Sequence, residues 1–221
     1  MPGETTKRIF DVALAVFVLL VLSPVLGVCA LAVRLLDGSP VLFRHERVGR
    51  HGRRFSLLKL RTMRPGAGQQ ITVAGDPLVT SLGRFLRRLK LDELPQVWNV
   101  LRGDMSFVGP RPEVPEYVAL YPHWFRAVLR LRPGITDWAS LAFSDEERLL
   151  AVYRRNQGFY ESVLLPRKIA LSRLYLRRRS LGLDVRLAVA TACVAVGLAN
   201  VATGLAGLQL ARRARQGLDG A

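Results

Sequence analysis

Two adjacent carboxylates, Asp92 and Glu93, follow four cations, Arg84, Arg87, Arg88 and Lys90. A carboxylate kept ionised among cations can attack phosphorus, and two together can hold a divalent metal. The same residues also fit a plainer alternative, in which Asp92 caps a helix and the arginines form a solvated face. Local pattern leaves both readings open. His45, His51 and His123 are scattered without metal-ligand spacing. Cys29 and Cys193 lie in apolar runs that favour buried thiols over a disulfide.

The elements that must position the carboxylate pair can be read from periodicity. Leu82, Phe85, Leu86 and Leu89 precede it at helical spacing, and Leu94, Val97, Trp98 and Leu101 repeat that face after it. Pro95 is tolerated only in a first turn, so two helices are expected, with Asp92 close to the N-cap of the second. The positive end of that helix, together with the cations, is expected to hold Asp92 ionised. Upstream, Val41-Leu42-Phe43 and Phe55-Ser56-Leu57-Leu58 flank Gly49-Arg50-His51-Gly52, which predicts a β-hairpin. Residues 65–77 read as a loop, 114–131 as helical, and Arg132-Pro133-Gly134-Ile135-Thr136 as a turn presenting a cation. Ser144 with Glu147 forms a capping box for a further helix, and the carboxylates at 145–147 look structural.

The 221 residues carry a net charge of +16, and among 33 basic residues only Lys7, Lys59, Lys90 and Lys168 are lysine. Such a balance implies anionic partners: nucleic acid, lipid headgroups or phosphorylated substrates. Half the residues are hydrophobic, and they are segregated. Residues 9–33 form an apolar run behind Lys7 and Arg8, broken by Asp11 and by Ser23-Pro24. Three readings compete: a signal peptide, a spanning helix and a re-entrant helix–break–helix hairpin. The run is long for the apolar region of a signal peptide, and Ser23-Pro24 at its midpoint would kink or break a spanning helix. Residues 187–210 form a second run of low bulk, between the basic stretch 167–186 and Arg212, Arg213 and Arg215. It fits an interfacial or protein-packed helix as well as a span, with membrane association slightly favoured.

Seven blocks occur in a fixed order: Lys7-Arg8-Ile9-Phe10-Asp11, Ser23-Pro24, Arg44…Arg47-Val48-Gly49, Lys59…Arg61-Thr62-Met63, Leu91-Asp92-Glu93-Leu94-Pro95-Gln96, Gly109-Pro110-Arg111-Pro112 and Arg132-Pro133-Gly134-Ile135-Thr136. In this the chain resembles the short members of the bacterial sugar transferase family, the monotopic polyprenyl-phosphate phosphoglycosyl transferases, over residues 7–190. The resemblance implies transfer of a phosphosugar from a UDP-sugar to polyprenyl phosphate, at the cytoplasmic face of the bacterial inner membrane. It implies Asp92 as nucleophile and Glu93 as its partner, the two also holding Mg2+. It further implies Arg87, Pro110, Arg111, Lys59, Arg61 and Arg132 as substrate contacts. Ser23 and Pro24 would turn the N-terminal helix back, which favours the re-entrant reading.

The expected architecture is α+β and mostly helical. It comprises a re-entrant membrane anchor over 1–36, a catalytic domain over 37–186 with a small β-hairpin and amphipathic interfacial helices, and a membrane-associated helix with basic tail over 187–221. Expected partners are UDP-sugar, polyprenyl phosphate and membrane lipids, without nucleic acid, and a homodimer is left open. The rival readings are a membrane-tethered nucleic-acid-binding protein and an inactive membrane scaffold. Aromatics are not interleaved with the basic runs for base stacking, which weighs against the first. Two departures from the family pattern stand out: Asp137-Trp138-Ala139-Ser140-Leu141 where Gly-Trp-Ala-Gln-Val is usual, and His45 where glutamine is frequent.

Overall fold

An uninterrupted apolar sequence makes the first helix, α1 (Gly3–Ala32), which a π-helical turn extends over Val33–Asp37. In the computed structural model, which describes residues 3–64, 73–144, 146–153, 158–195, 197, 198 and 204, α1 passes through Ser23-Pro24 without a break. The expected helix–break–helix hairpin is therefore corrected to one continuous helix. Proline lacks the N–H that would pair with the carbonyl four residues back, and Ser23 Oγ donates to that same carbonyl, Leu20 O, at 3.3 Å. Asp11, Ala15, Cys29 and Val33 are buried, separated by whole numbers of turns, so one stripe of α1 packs inward along its length.

The basic segment forms the expected hairpin. β1 (Leu42–Val48) pairs antiparallel with β2 (Arg54–Leu60), from Leu42 opposite Leu60 to Val48 opposite Arg54. His51 and Gly52 turn it with φ of 58° and 76°. Phe43, His45 and Arg47 alternate along one face, opposite Lys59, Leu57 and Phe55. Leu57 packs with Ala15, Val97, Val100 and Met105, while Leu60, on the other face, packs with Cys29, Val33 and Leu86. The hairpin is thereby wedged between α1 and the central helices.

Those helices are the two predicted: α2 (Ser81–Arg88) and α3 (Gln96–Arg102). Thr80 caps α2, its hydroxyl accepting from Gly83 N–H at 2.9 Å. A Cβ at Gly83 would overlap Thr62 O, so glycine lets α2 lie directly on that backbone. β3 (Ser106–Val108) pairs in parallel with a later strand, and the helical stretch between them is two helices rather than one. α4 (Pro115–Leu120) ends where Pro122 opens α5 (Pro122–Val128). Then follow β4 (Gly134–Thr136), α6 (Trp138–Ala142), α7 (Glu146–Val152), α8 (Leu165–Arg178) and α9 (Leu181–Ala195). Part of the predicted loop (65–72) and one residue of the capping box (145) lie outside the described residues.

The largest core cluster gathers Phe125, Trp138, Leu164, Leu165, Tyr175 and Leu187. Leu187 and Ala190 are fully buried in it, so the start of the apolar run 187–210 packs against protein, one of the alternatives open for that run. The low bulk read as membrane association instead lets α9 pack closely, and Asp184 ties it inward by accepting from Lys7 Nζ and Tyr175 OH, both at 2.7 Å. Most of 196–210 lies outside the described residues. Mostly helical α+β architecture with a small sheet is thus what the chain adopts.

Candidate active site

Between α2 and α3 the chain turns sharply at Lys90, a non-glycine residue in the left-handed region (φ 57°), and then makes a single 3-10 turn over Leu91–Glu93. Such a conformation costs roughly 1–3 kcal/mol and recurs at functional sites. Asp92 therefore sits in a turn ahead of α3, not beside its N-cap, which is Pro95. Pro95 supplies no N–H that a carboxylate could cap.

Asn99 fixes this turn against the hairpin. Its buried amide accepts from Leu58 N–H at 3.1 Å and donates to Ser56 O at 2.8 Å, pairing with β2 as another strand would. The neighbouring Lys59 thereby meets Glu93, with Nζ donating to Oε1 at 2.9 Å. Arg111 Nη2 donates to the same Oε1, also at 2.9 Å. One carboxylate oxygen thus holds two cations from different elements.

Arg111 is aimed by an interlock of two glycine-containing motifs. Gly109 N–H donates to Thr136 O and Gly134 N–H to Pro110 O, each at 3.0 Å. A Cβ on Gly134 would overlap the Gly109 backbone, and one on Gly109 would come within 2.5 Å of Arg132 O. Pro110 contributes its carbonyl to this lock. Arg111 N–H donates to Asp137 Oδ2 at 3.4 Å, and Asp137, fully buried, also accepts from Ser140 N–H and Ser172 Oγ. Behind lies a buried ionic cluster. Glu113 accepts from Tyr160 OH at 2.8 Å, with Lys168 3.3 Å and Arg47 3.6 Å away.

The two carboxylates are made unlike by their surroundings. Burial pushes the Asp92 carboxyl above its ordinary value, Glu93 adds to that rise, and Lys59 opposes it. The expectation that a helix end and cations would dominate at Asp92 is corrected: desolvation wins. Burial also raises Glu93, but Lys59 and Arg111 overrule it and hold that carboxyl well below its usual range. Glu93 in turn raises the Arg111 guanidinium. Asp92 Oδ1 is buried and has no hydrogen-bond partner.

Of the expected contacts, Lys59 and Arg111 converge on Glu93, while Pro110 bonds through its carbonyl to Gly134 N–H. Arg87 lies on α2 with Nε donating to Thr62 Oγ1 at 2.9 Å and Nη1 to Glu147 Oε1 at 2.8 Å, so the structural reading of Glu147 fits this pairing. Arg61 and Arg132 are engaged elsewhere. Arg61, buried, donates to Ser39 O and Asp37 O and so ties down the chain leaving α1. Arg132 donates to Gly103 O, and Arg8 to Val100 O and Leu101 O, at the end of α3 away from the pair. Asn99, Asp137 and the Glu113–Lys168 pair escaped the sequence reading. One signal was available, since three of the four lysines pair with buried or half-buried carboxylates: Lys7 with Asp184, Lys59 with Glu93, Lys168 with Glu113.

An unpartnered buried Asp92 Oδ1 beside a second carboxylate is a donor set that suits a hard divalent cation. No group of three or more His, Cys, Asp or Glu gathers among the described residues.

The fold thus sets an asymmetric carboxylate pair among cations, an arrangement suited to a phosphorylated ligand. The chain belongs to the bacterial sugar transferase family, whose sequence profile matches residues 3–197. It is 38% identical over 200 residues to the undecaprenyl-phosphate glucose phosphotransferase of Komagataeibacter xylinus, covering 82% of this chain and 34% of that protein. It is 38% identical over 203 residues to the UDP-glucose:undecaprenyl-phosphate glucose-1-phosphate transferase of Caulobacter vibrioides, covering 85% and 68%. A third relative, the UDP-N-acetylgalactosamine-undecaprenyl-phosphate N-acetylgalactosaminephosphotransferase of Aeromonas hydrophila, is 38% identical over 143 residues, covering 61% and 33%. The chain thus spans about a third of the first and third of these relatives.

Proposed function

We propose that the protein transfers a sugar 1-phosphate from a UDP-sugar to undecaprenyl or a similar polyprenyl phosphate, the first membrane step in building a surface polysaccharide or glycoconjugate. The observation that carries this is Asp92 Oδ1, buried and unpartnered beside a Glu93 whose negative charge Lys59 and Arg111 already answer. Asp92 Oδ1 attacks the β-phosphorus, and the bond from that phosphorus to the bridging oxygen breaks. UMP leaves with the bonding electrons, and the phosphosugar stays on the carboxylate. A polyprenyl-phosphate oxygen then attacks the same phosphorus, displaces Asp92, and yields the polyprenyl-diphosphate sugar. Splitting the exchange lets two anionic substrates use one cationic site in turn. Asp92 and Glu93 would hold Mg2+, which when bound supplies charge neutralisation at the diphosphate. Arg111 and Lys59 offer fixed donors to the phosphate oxygens.

Membrane attachment supports the lipid acceptor. α1 is long and apolar enough to cross a bilayer, but both of its ends dock on the same domain. Lys7 and Arg8 anchor the first turns, while Asp37 is held by Thr80 at 2.8 Å and by Arg61. Its outward face, with Phe17, Leu20, Val28, Leu31 and Leu35, is exposed. With both ends held on one domain, α1 would lie along the membrane surface with that face in one leaflet, a monotopic attachment that needs no hairpin. A nucleic-acid role is less favoured, since many arginines are engaged with carbonyls and carboxylates of the fold.

The test is UMP release by detergent-purified protein given Mg2+, polyprenyl phosphate and a panel of UDP-sugars. Asp92→Asn is expected to reduce it by at least ~10³-fold. UMP from the variant at the wild-type rate would remove Asp92 as nucleophile. No UMP from any donor with folded wild type would remove the reaction.

A further inference from the structure

His45 lies on the hairpin face that carries Lys59, one diagonal away across the register that pairs Phe43 with Lys59 and His45 with Leu57. Two tethers set its place relative to the carboxylate pair. Lys59 on the opposite strand ends on Glu93 Oε1. Arg47, two residues along β1, donates to Pro112 O at 3.3 Å, next to the residue whose guanidinium ends on that same Oε1. Arg47 Nη2 also lies 3.2 Å from His45 Nδ1. A guanidinium can only donate, so Nδ1 accepts, the imidazole is neutral, and its one proton is on Nε2. Among the described residues no protein group accepts from that Nε2–H. The Phe43 ring, half exposed, stands edge-on to the imidazole at 5.6 Å.

We infer that His45 Nε2–H is a sugar-recognition donor: it gives one neutral hydrogen bond to a hydroxyl or amide oxygen of the UDP-sugar held at Asp92 and Glu93, with Phe43 as the adjoining apolar wall. The chemistry of the surroundings favours this. Lys59 and Arg111, the side chains that donate to Glu93, are cations suited to phosphate, whereas a sugar offers uncharged acceptors. The neutrality of His45 is robust, because burial and then Arg47 and Lys59 push its pKa down to about 4, against the weaker opposite pull of Glu116 and Glu113. This assignment rests on the proposed reaction.

The experiment measures steady-state UMP release by wild type, His45→Ala and His45→Gln, varying UDP-sugar and polyprenyl phosphate separately. His45→Ala is expected to raise KM for the UDP-sugar about 10-fold, close to the value of one neutral hydrogen bond. The kcat and the KM for the lipid should move less than about twofold, and His45→Gln should recover most of the loss. An unchanged donor KM in His45→Ala, a rise confined to the lipid KM, or His45→Gln as poor as His45→Ala would each overturn it while the reaction stands. Nitrogen NMR of the imidazole gives a readout independent of turnover. Nε2–H neutral tautomer signals that shift on adding UDP-sugar support the donor, and signals that stay put overturn it even if wild type turns over no substrate.

Discussion

Asp92 and Glu93 are neighbours in sequence, yet their protons behave oppositely. Burial raises Asp92, whereas two cations on one oxygen depress Glu93. The sign of the pH dependence follows. In the proposed reaction Asp92 attacks as the carboxylate, so UMP release should rise with pH through an inflexion above the ordinary carboxylate value of 3.8. The stability that Glu93 contributes is present above its unfolded pKa and is lost only as pH falls through its depressed folded value. On acidification, activity should therefore disappear while the fold persists. Rates measured from about pH 8 to pH 4 alongside circular dichroism check this. Activity that fell only together with the helical signal would show that Asp92 is not the titrating group.

At the scale of elements, the parallel pair β3–β4 is short, three residues each, and its role is to bring Arg111 over Glu93. Its precision depends on backbone contact between Gly109 and Gly134 that leaves no room for a Cβ. Gly134→Ala should cost about 2 kcal/mol and lower Tm by roughly 5 °C. It should also raise KM for the UDP-sugar, because moving Pro110 O moves Arg111. Gly182→Ala in α9, where a Cβ meets nothing within 4 Å, is the control and should leave KM unchanged and Tm the same or slightly higher. A Gly134→Ala protein with wild-type Tm and KM would mean that the interlock does not aim the arginine.

For the whole molecule, the question is how a helix of about 45 Å relates to an apolar layer of about 30 Å. In the proposed attachment both ends of α1, docked on one domain, stay on one side of that layer. Single cysteines at Thr5 and Ser39, both exposed, in a chain with Cys29 and Cys193 replaced, should react with an impermeant maleimide from the same face of the membrane. Labelling of the two positions from opposite faces would establish a span and detach α1 from the proposed topology.

Much of this protein is legible in its sequence because local chemistry determines it. Helical spacing around the carboxylates, the glycine turn of the hairpin and the apolar N-terminal run each state their own element, and the ordered blocks state the family. Those blocks also contain Lys59 and Arg111, the two cations that meet on Glu93. What only tertiary structure decided are quantities that depend on distant partners. Ser23 fills the bond that Pro24 loses, so α1 does not break. Leu187 and Ala190 find a protein core rather than lipid. Arg61 and Arg132 bond to backbone carbonyls away from the pair, and burial outweighs the cations at Asp92. A sequence specifies which groups are charged or apolar; desolvation and pairing energies depend on what folding sets against them.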